Sequence, residues 1–176
     1  MIYSKIFTNK GVIMRKLLLG CVLSLVAVSA NAEVLWQKAE TGMTPNKVKS
    51  LFPNAIENDS TGYVPNNGKS LLKIPNYKVG MIDYKVDFIF NDDKLSMVRL
   101  QNFGSTANSA FEMTRELLKQ KYGQPFDGTI KPTFKNIVWK NKGVLIRLQN
   151  SASVGNIPSS TVVLYQTSQL DESNKL

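Results

Sequence analysis

Apolar and polar residues alternate strictly between residues 82 and 90, where the strand signal is strongest. The apolar positions are Ile82, Tyr84, Val86, Phe88 and Phe90. A period of two predicts a strand with one buried face and one wet face. A polar turn at 91–94 and a return strand at 95–101 complete a hairpin, in which a bulge would bring Leu95 inward.

Two helices are predicted by capping residues and by apolar spacing of three to four. Thr44 suits an N-cap and Pro45 the first helical position, which predicts a helix over 45–52 that Pro53 stops.

The second helix is the clearest in the chain. Ser109 and Glu112 have the spacing of a capping box, although a start one turn earlier stays open. An apolar stripe runs as far as Tyr122, where Gly123 and Pro125 end the helix.

The remaining segments predict shorter strands. Residues 33–40 read as an edge strand or an arm, and 54–77 as an irregular stretch with one short strand near Leu71–Ile74. Three later strands are predicted at 134–140, 144–149 and 161–167.

These elements predict one α+β domain over residues 33–167, followed by a polar tail at 168–176. Its two helices would pack on one face of an antiparallel sheet of about five to six strands. The tetrapeptide Arg-Leu-Gln-Asn closes two hairpins, at 99–102 and 147–150. A duplicated αββ unit therefore stays open as a further interpretation.

The residues that predict the first helix cap and the hairpin turn also match the pattern of a known family. The run from Gly42 to Pro45, with Val48, Phe52 and the turn at 91–95, resembles the helix-plus-meander unit of small exported bacterial proteins. Both the SmpA/OmlA outer-membrane assembly lipoproteins and the β-lactamase-inhibitor-like proteins use such units. The resemblance covers roughly Gly42 to Gln149. It implies a helix-backed antiparallel sheet that binds partners and performs no chemistry.

The segment from Met14 to Ala32 reads as an export signal. Two basic residues precede an apolar run of about a dozen, and a small-x-small exit follows, which predicts cleavage after Ala32 and a periplasmic or secreted protein. The run is shorter than the roughly twenty residues of a membrane span, so we expect no stable span after cleavage. Retention of the segment and lipidation at Cys21 stay open, as does translation from Met14 in place of Met1.

Removing residues 1–32 changes the charge and the available chemistry. The formal net charge falls from +9 to +5, because four of the 22 basic residues and none of the 13 acidic residues are lost. The remaining basic residues are scattered, which argues against nucleic-acid binding. Cys21 is the only cysteine and there is no histidine. Thiol and imidazole catalysis and the usual zinc sites are therefore excluded, and we expect no metal and no cofactor.

Carboxylates are the catalytic groups that survive this exclusion. Asp83 and Asp87 could share a strand face, and Glu112 and Glu116 lie one helical turn apart. The simpler interpretation is that all four are solvated surface groups, so we expect no catalytic residues.

A binding surface is the remaining functional signal. Aromatic and basic residues interleave in the irregular stretch, and such loops suit contacts with acidic proteins or glycans. The predicted partner-binding residues are Tyr63, Lys69, Lys73, Tyr77 and Lys78. The alternative is that the tyrosines pack this stretch against the sheet.

The sequence therefore predicts an exported, non-enzymatic protein that binds a protein partner or a cell-envelope component. A secreted inhibitor or immunity protein is one alternative. A carboxylate-dependent hydrolase of envelope material is the other.

Overall fold

The computed structural model describes residues 32–58 and 68–168 of the 176-residue chain. Its helices are α1 (Pro45–Leu51) and α2 (Ala107–Tyr122). Its strands are β1 (Val34–Trp36), β2 (Ala39–Glu40), β3 (Ile56–Glu57), β4 (Lys69–Val79), β5 (Ile82–Asn91), β6 (Lys94–Phe103), β7 (Asp127–Ile130), β8 (Phe134–Asn141), β9 (Val144–Ser151) and β10 (Ser160–Thr167).

Eight of these strands form one antiparallel sheet in the order β3-β4-β5-β6-β10-β9-β8-β7. Each helix is followed along the chain by four strands, and the two sets of four meet where β6 pairs with β10. Strands β1 and β2 form a separate two-stranded sheet.

The predicted fold class was wrong. The expectation was an α+β domain with five or six strands and the option of a duplicated αββ unit. The protein is instead mostly β, with an eight-stranded sheet, a small two-stranded sheet and only two helices in the described residues.

The strand count was too low because two kinds of strand gave no alternating signal. β7 is exposed at all four of its residues, so no apolar positions mark one face. β4 runs through Pro75, which the pattern interpreted as loop. The register between β4 and β5 shifts between Ile74 and Tyr77, and such irregularities allow proline within a strand.

The local predictions around the helices held. Thr44 caps α1 and accepts a hydrogen bond from the Lys47 amide at 3.4 Å, with Pro45 in the first turn. α2 begins at Ala107, one turn before the capping-box start, and Gly123 ends it at a φ of 80°.

The β5–β6 hairpin also forms as predicted. Asp92 and Asp93 both adopt positive φ in the turn, and a bulge lies between Ile89 and Phe90. Two positive φ values in a two-residue turn match the right-handed twist of the strands.

The main hydrophobic core lies between the sheet and the helices. Val48 of α1 and Phe111 of α2 are both fully buried within it. An aromatic group extends the core towards β1, where Trp36 stacks on Phe52 with ring centroids 5.6 Å apart and meets the edge of Tyr77 at 5.0 Å. Both helices therefore cover the same face of the sheet.

Several predicted features lie outside the described residues, namely the export signal up to Asn31, Tyr63, and the tail beyond Ser168. Within the described part of the chain, no helix is long and apolar enough to cross a membrane.

Candidate binding face of the sheet

The face of the eight-stranded sheet opposite α1 and α2 is the candidate functional site, and we call it the helix-free face. Alternate side chains of a strand point to opposite sides, so residues between core positions must lie on this face. In the central strands the core positions include Phe88, Leu100 and Val163. The corresponding residues of the helix-free face are Lys85, Asp87 and Ile89 of β5, Met97, Arg99 and Gln101 of β6, Val162, Leu164 and Gln166 of β10, and Leu145, Arg147 and Gln149 of β9.

The repeated tetrapeptide Arg-Leu-Gln-Asn places matching side chains on both sides of β10. Leu164 of β10 lies opposite Arg99 on one side and opposite Arg147 on the other. Neighbouring strands are about 4.8 Å apart, so the two arginine backbones are separated by roughly 10 Å. The two copies of Arg-Leu-Gln-Asn therefore flank β10 in the same register.

The glutamines of the two tetrapeptides form a second matched row. Val162 lies between Gln101 and Gln149 as Leu164 lies between the arginines. The row continues onto β8, because the Gln149 side-chain amide donates to Asn136 Oδ1 at 3.2 Å. The first row therefore consists of Arg99, Leu164 and Arg147. The second row consists of Gln101, Val162, Gln149 and Asn136.

A buried ion-pair cluster anchors one end of the arginine row. Asp87 is fully buried, with Lys85 Nζ 3.0 Å from its Oδ1 and Arg99 Nη2 3.0 Å from its Oδ2. Arg99 Nε also reaches Oδ2 at 3.3 Å, and the Asn58 amide donates to Oδ1 at 3.4 Å. Several donors to one carboxylate compensate the cost of removing it from water.

The charges on this face are mostly positive among the described residues. Opposing registers place seven basic side chains and three acidic ones there. The basic residues are Lys73, Lys78, Lys85, Lys94, Arg99, Lys140 and Arg147, and the acidic residues are Asp83, Asp87 and Asp127. Since Asp87 is already paired, the outward potential of the face is positive.

The predicted partner-binding residues are not gathered into one patch. Lys69, Lys73, Tyr77 and Lys78 all belong to β4. Nine residues of strand span roughly 30 Å, so Lys69 and Lys78 lie at opposite ends of it. Of these residues, Lys73 lies opposite Asp87 on the helix-free face, whereas Tyr77 packs against Trp36 on the other side.

The four carboxylates considered for catalysis are not arranged as acid–base pairs. Asp87 is fully buried in its ion pairs, so the expectation that it is a solvated surface group was wrong, whereas the Asp83 side chain is exposed as expected. Glu112 pairs with Lys135 and Arg115, each at 3.0 Å, and Glu116 pairs with Arg115. Glu112 and Glu116 therefore balance cations on the surface of α2, as the simpler interpretation held.

The helix-free face was missed because its residues come together only through long-range strand pairing. The repeated tetrapeptide was the available signal, and it was interpreted as the mark of a duplicated unit. The two copies occupy β6 and β9, which are not equivalent in the four-strand sets but are both neighbours of β10.

Among the described residues, no group of three or more Cys, Asp or Glu side chains is placed to hold a metal ion.

Comparison with known proteins adds no further identification. No family model, no curated protein and no solved structure matches this chain.

Proposed function

We propose that this chain is an exported binding protein whose helix-free face recognises an acidic surface on a protein partner. The observation that carries the proposal is the pair of matched rows beside β10, which present arginine and glutamine donors around Leu164 and Val162. Arginine forks and side-chain amides recognise carboxylates and carbonyl groups on a partner.

The size of the face supports a protein partner. Eight strands at about 4.8 Å spacing, with central strands of eight to ten residues, give a face of roughly 38 Å by 27 Å. A typical protein–protein interface buries about 800 Å² on each partner. The face is therefore large enough for one such interface.

The chemistry of the face also supports recognition. Protein interfaces favour arginine together with aliphatic contact, and the half-buried Val162 supplies apolar area beside the glutamine row. Positive charge steers an acidic partner during encounter and makes association sensitive to salt.

A matched pair of charge variants tests this proposal. The face variant combines Lys140→Glu with Arg147→Glu on the helix-free face. The control combines Lys47→Glu on α1 with Lys119→Glu on α2, both exposed, and it changes the net charge by the same amount. Partners are captured from periplasmic extract at low and at high salt, and thermal unfolding checks that both variants fold.

We expect wild type and control to retain a stoichiometric acidic partner that the face variant loses, and high salt to release it from both. Equal retention by the two variants, or no partner retained by wild type, would contradict the proposal. A partner lost only from the control would place recognition on the helices.

Export is a separate part of the proposal with its own measurement. The mature chain recovered from the periplasm should begin at Glu33, and N-terminal sequencing with intact mass determines this. A chain that keeps residues before Glu33, or one modified at Cys21, would contradict the cleavage.

A further inference from the structure

A cavity of about 170 Å³ lies on the other side of the sheet, between α2 and the arm formed by β1 and the end of β4. Leu100, Val163 and Tyr165 form its floor. Trp36 and Tyr77 form one wall, and the last turns of α2 form the opposite wall. The first wall is aromatic and the α2 wall is largely aliphatic, and the mouth is bordered by Leu117 and Lys121, both exposed.

The hydroxyl of Tyr165 is a donor in the lining of this cavity. The residue is 7% exposed, and its hydroxyl oxygen is not among the fully buried atoms without a partner. A molecule in the cavity can therefore supply the acceptor that tyrosine hydroxyls normally find. Burial raises the pKa of Tyr165 above its usual value, and the nearby Tyr122, Tyr77 and Tyr84 add to this effect. The hydroxyl therefore remains protonated and available as a donor at neutral pH.

The other polar groups of the cavity have defined roles. Tyr84 and Thr114 share a 2.6 Å hydrogen bond, and the Tyr77 hydroxyl accepts from the Gln37 amide at 2.6 Å. Lys121, whose Nζ lies 5.1 Å from the centroid of the Tyr122 ring, brings a positive charge to the mouth. The cavity thus combines an aromatic wall, the Tyr165 hydroxyl as a donor and one cation.

We propose that this cavity binds a small aromatic carboxylic acid. The ring packs among Trp36, Tyr77 and the aliphatic floor, where offset and edge-on aromatic contacts are favourable. The carboxylate accepts from the Tyr165 hydroxyl and pairs with Lys121. A cavity of about 150 Å³ is known to hold benzene, so the volume admits a single ring with a short acidic arm.

This site goes beyond the proposed function and is independent of it. The cavity lies on the helix-bearing side, while the partner face lies on the opposite side of the same strands. Charge variants of the helix-free face should leave the affinity of the cavity unchanged, so the two proposals can fail separately.

The test is calorimetric titration of the full domain with phenylacetate, alongside the neutral phenylacetamide. Tyr165→Phe removes the donor and keeps the ring, and Lys121→Met removes the cation at the mouth. Lys119→Met, two residues away on the exposed surface of α2, is the matched control. Thermal unfolding of each variant without ligand is measured in parallel.

We expect saturable binding of phenylacetate, with phenylacetamide weaker. Tyr165→Phe should lower the affinity about tenfold, since a hydrogen bond to a charged group is lost, whereas Lys119→Met should change it less than about twofold. Because no hydrogen bond joins the hydroxyl to another of the described residues, Tyr165→Phe should not lower the Tm of the ligand-free domain. A merely structural hydroxyl would give the opposite result, with a lower Tm and unchanged affinity. That result, or no saturable binding up to about 10 mM, would overturn the proposal.

Discussion

The two faces of the eight-stranded sheet are built from alternate residues of the same strands, yet they are held by different forces. On the helix-bearing face, Phe88 joins a continuous core of aromatic and aliphatic side chains beneath both helices. On the helix-free face, its neighbour Asp87 is equally buried but is surrounded by Lys85, Arg99 and Asn58. Among the described residues, the apolar cluster on that side is small and consists of Ile89, Met97 and Leu164 with Val162 packed against it.

This difference separates stability from recognition. Hydrophobic burial stabilises the helix-bearing face without directional demands. The polar groups of the helix-free face contribute little net stability once desolvation is counted, but they are costly to leave without a partner. The side chains of the helix-free face therefore contribute more to recognition, through the arrangement of their charges, than to stability through packing.

The largest expected effect comes from adjacent residues of β5 that point to opposite faces. Phe88→Ala should lower the free energy of unfolding by about 4 kcal/mol, because it leaves a cavity in the main core. Ile89→Ala should cost about 2 kcal/mol, because its apolar cluster is small. Urea denaturation of both variants measures the difference. Equal losses would show that the two faces contribute alike.

The next effect concerns the buried carboxylate. Asp87→Ala should lower the free energy of unfolding by about 3 kcal/mol, since it leaves two cations facing each other without their anion. Asp83→Ala on the same strand removes an exposed carboxylate and should cost under about 0.5 kcal/mol. If Asp87→Ala were as mild as Asp83→Ala, the ion-pair cluster would not hold this face together.

A smaller difference between the faces should appear in the free energy of unfolding at alkaline pH. All four tyrosines of the described chain pack on the helix-bearing side, and burial raises the pKa of Tyr84 and of Tyr165 above 10.0. Folding favours the neutral phenols. Their contribution is therefore complete below pH 10 and is lost as the pH rises from there through the raised pKa values.

The corresponding measurement is the free energy of unfolding between pH 9 and pH 11.5. Each group contributes a slope of up to about 1.4 kcal/mol per pH unit. Tyr165→Phe should flatten the decline relative to wild type. An unchanged slope would show that this phenol ionises as readily in the folded protein as in the unfolded chain.

The smallest effect is expected from a surface carboxylate of α2. Glu112→Gln breaks exposed ion pairs with Arg115 and Lys135, so the free energy of unfolding should change by less than about 0.5 kcal/mol. Binding of the partner to the helix-free face should be unaffected. Loss of a cellular phenotype with the fold retained would instead favour the carboxylate-dependent hydrolase.

Local signals were enough to predict much of the fold. The Thr44 cap, the end of α2 at Gly123 and the β5–β6 hairpin depend on residues close together in the chain, and all three formed. The exposed strand β7 and the proline-containing β4 could not be inferred from alternation, because one lacks buried positions and the other is interrupted.

The candidate site was less predictable than the fold. Arg99 and Arg147 are 48 residues apart in sequence, and only their shared pairing with β10 brings them together. The place of Tyr165 in the cavity could not be predicted from the sequence either, since the cavity is formed by packing of β1, β4 and α2 around β10. Of the predicted binding residues, Lys73 and Lys78 lie on the helix-free face, because the register pairs them with Asp87 and Asp83.

The central position of β10 has a consequence for how the chain must be made. Until residues 160–167 emerge, β6 and β9 both remain open edges, each offering unpaired backbone groups to any passing strand. The sheet therefore closes late, through pairings such as that between Phe103 and Ser160, and such contacts between residues distant in the chain slow folding. A chain truncated before Ser160 should accordingly be aggregation-prone, even though its first set of four strands is complete and its second set lacks only β10.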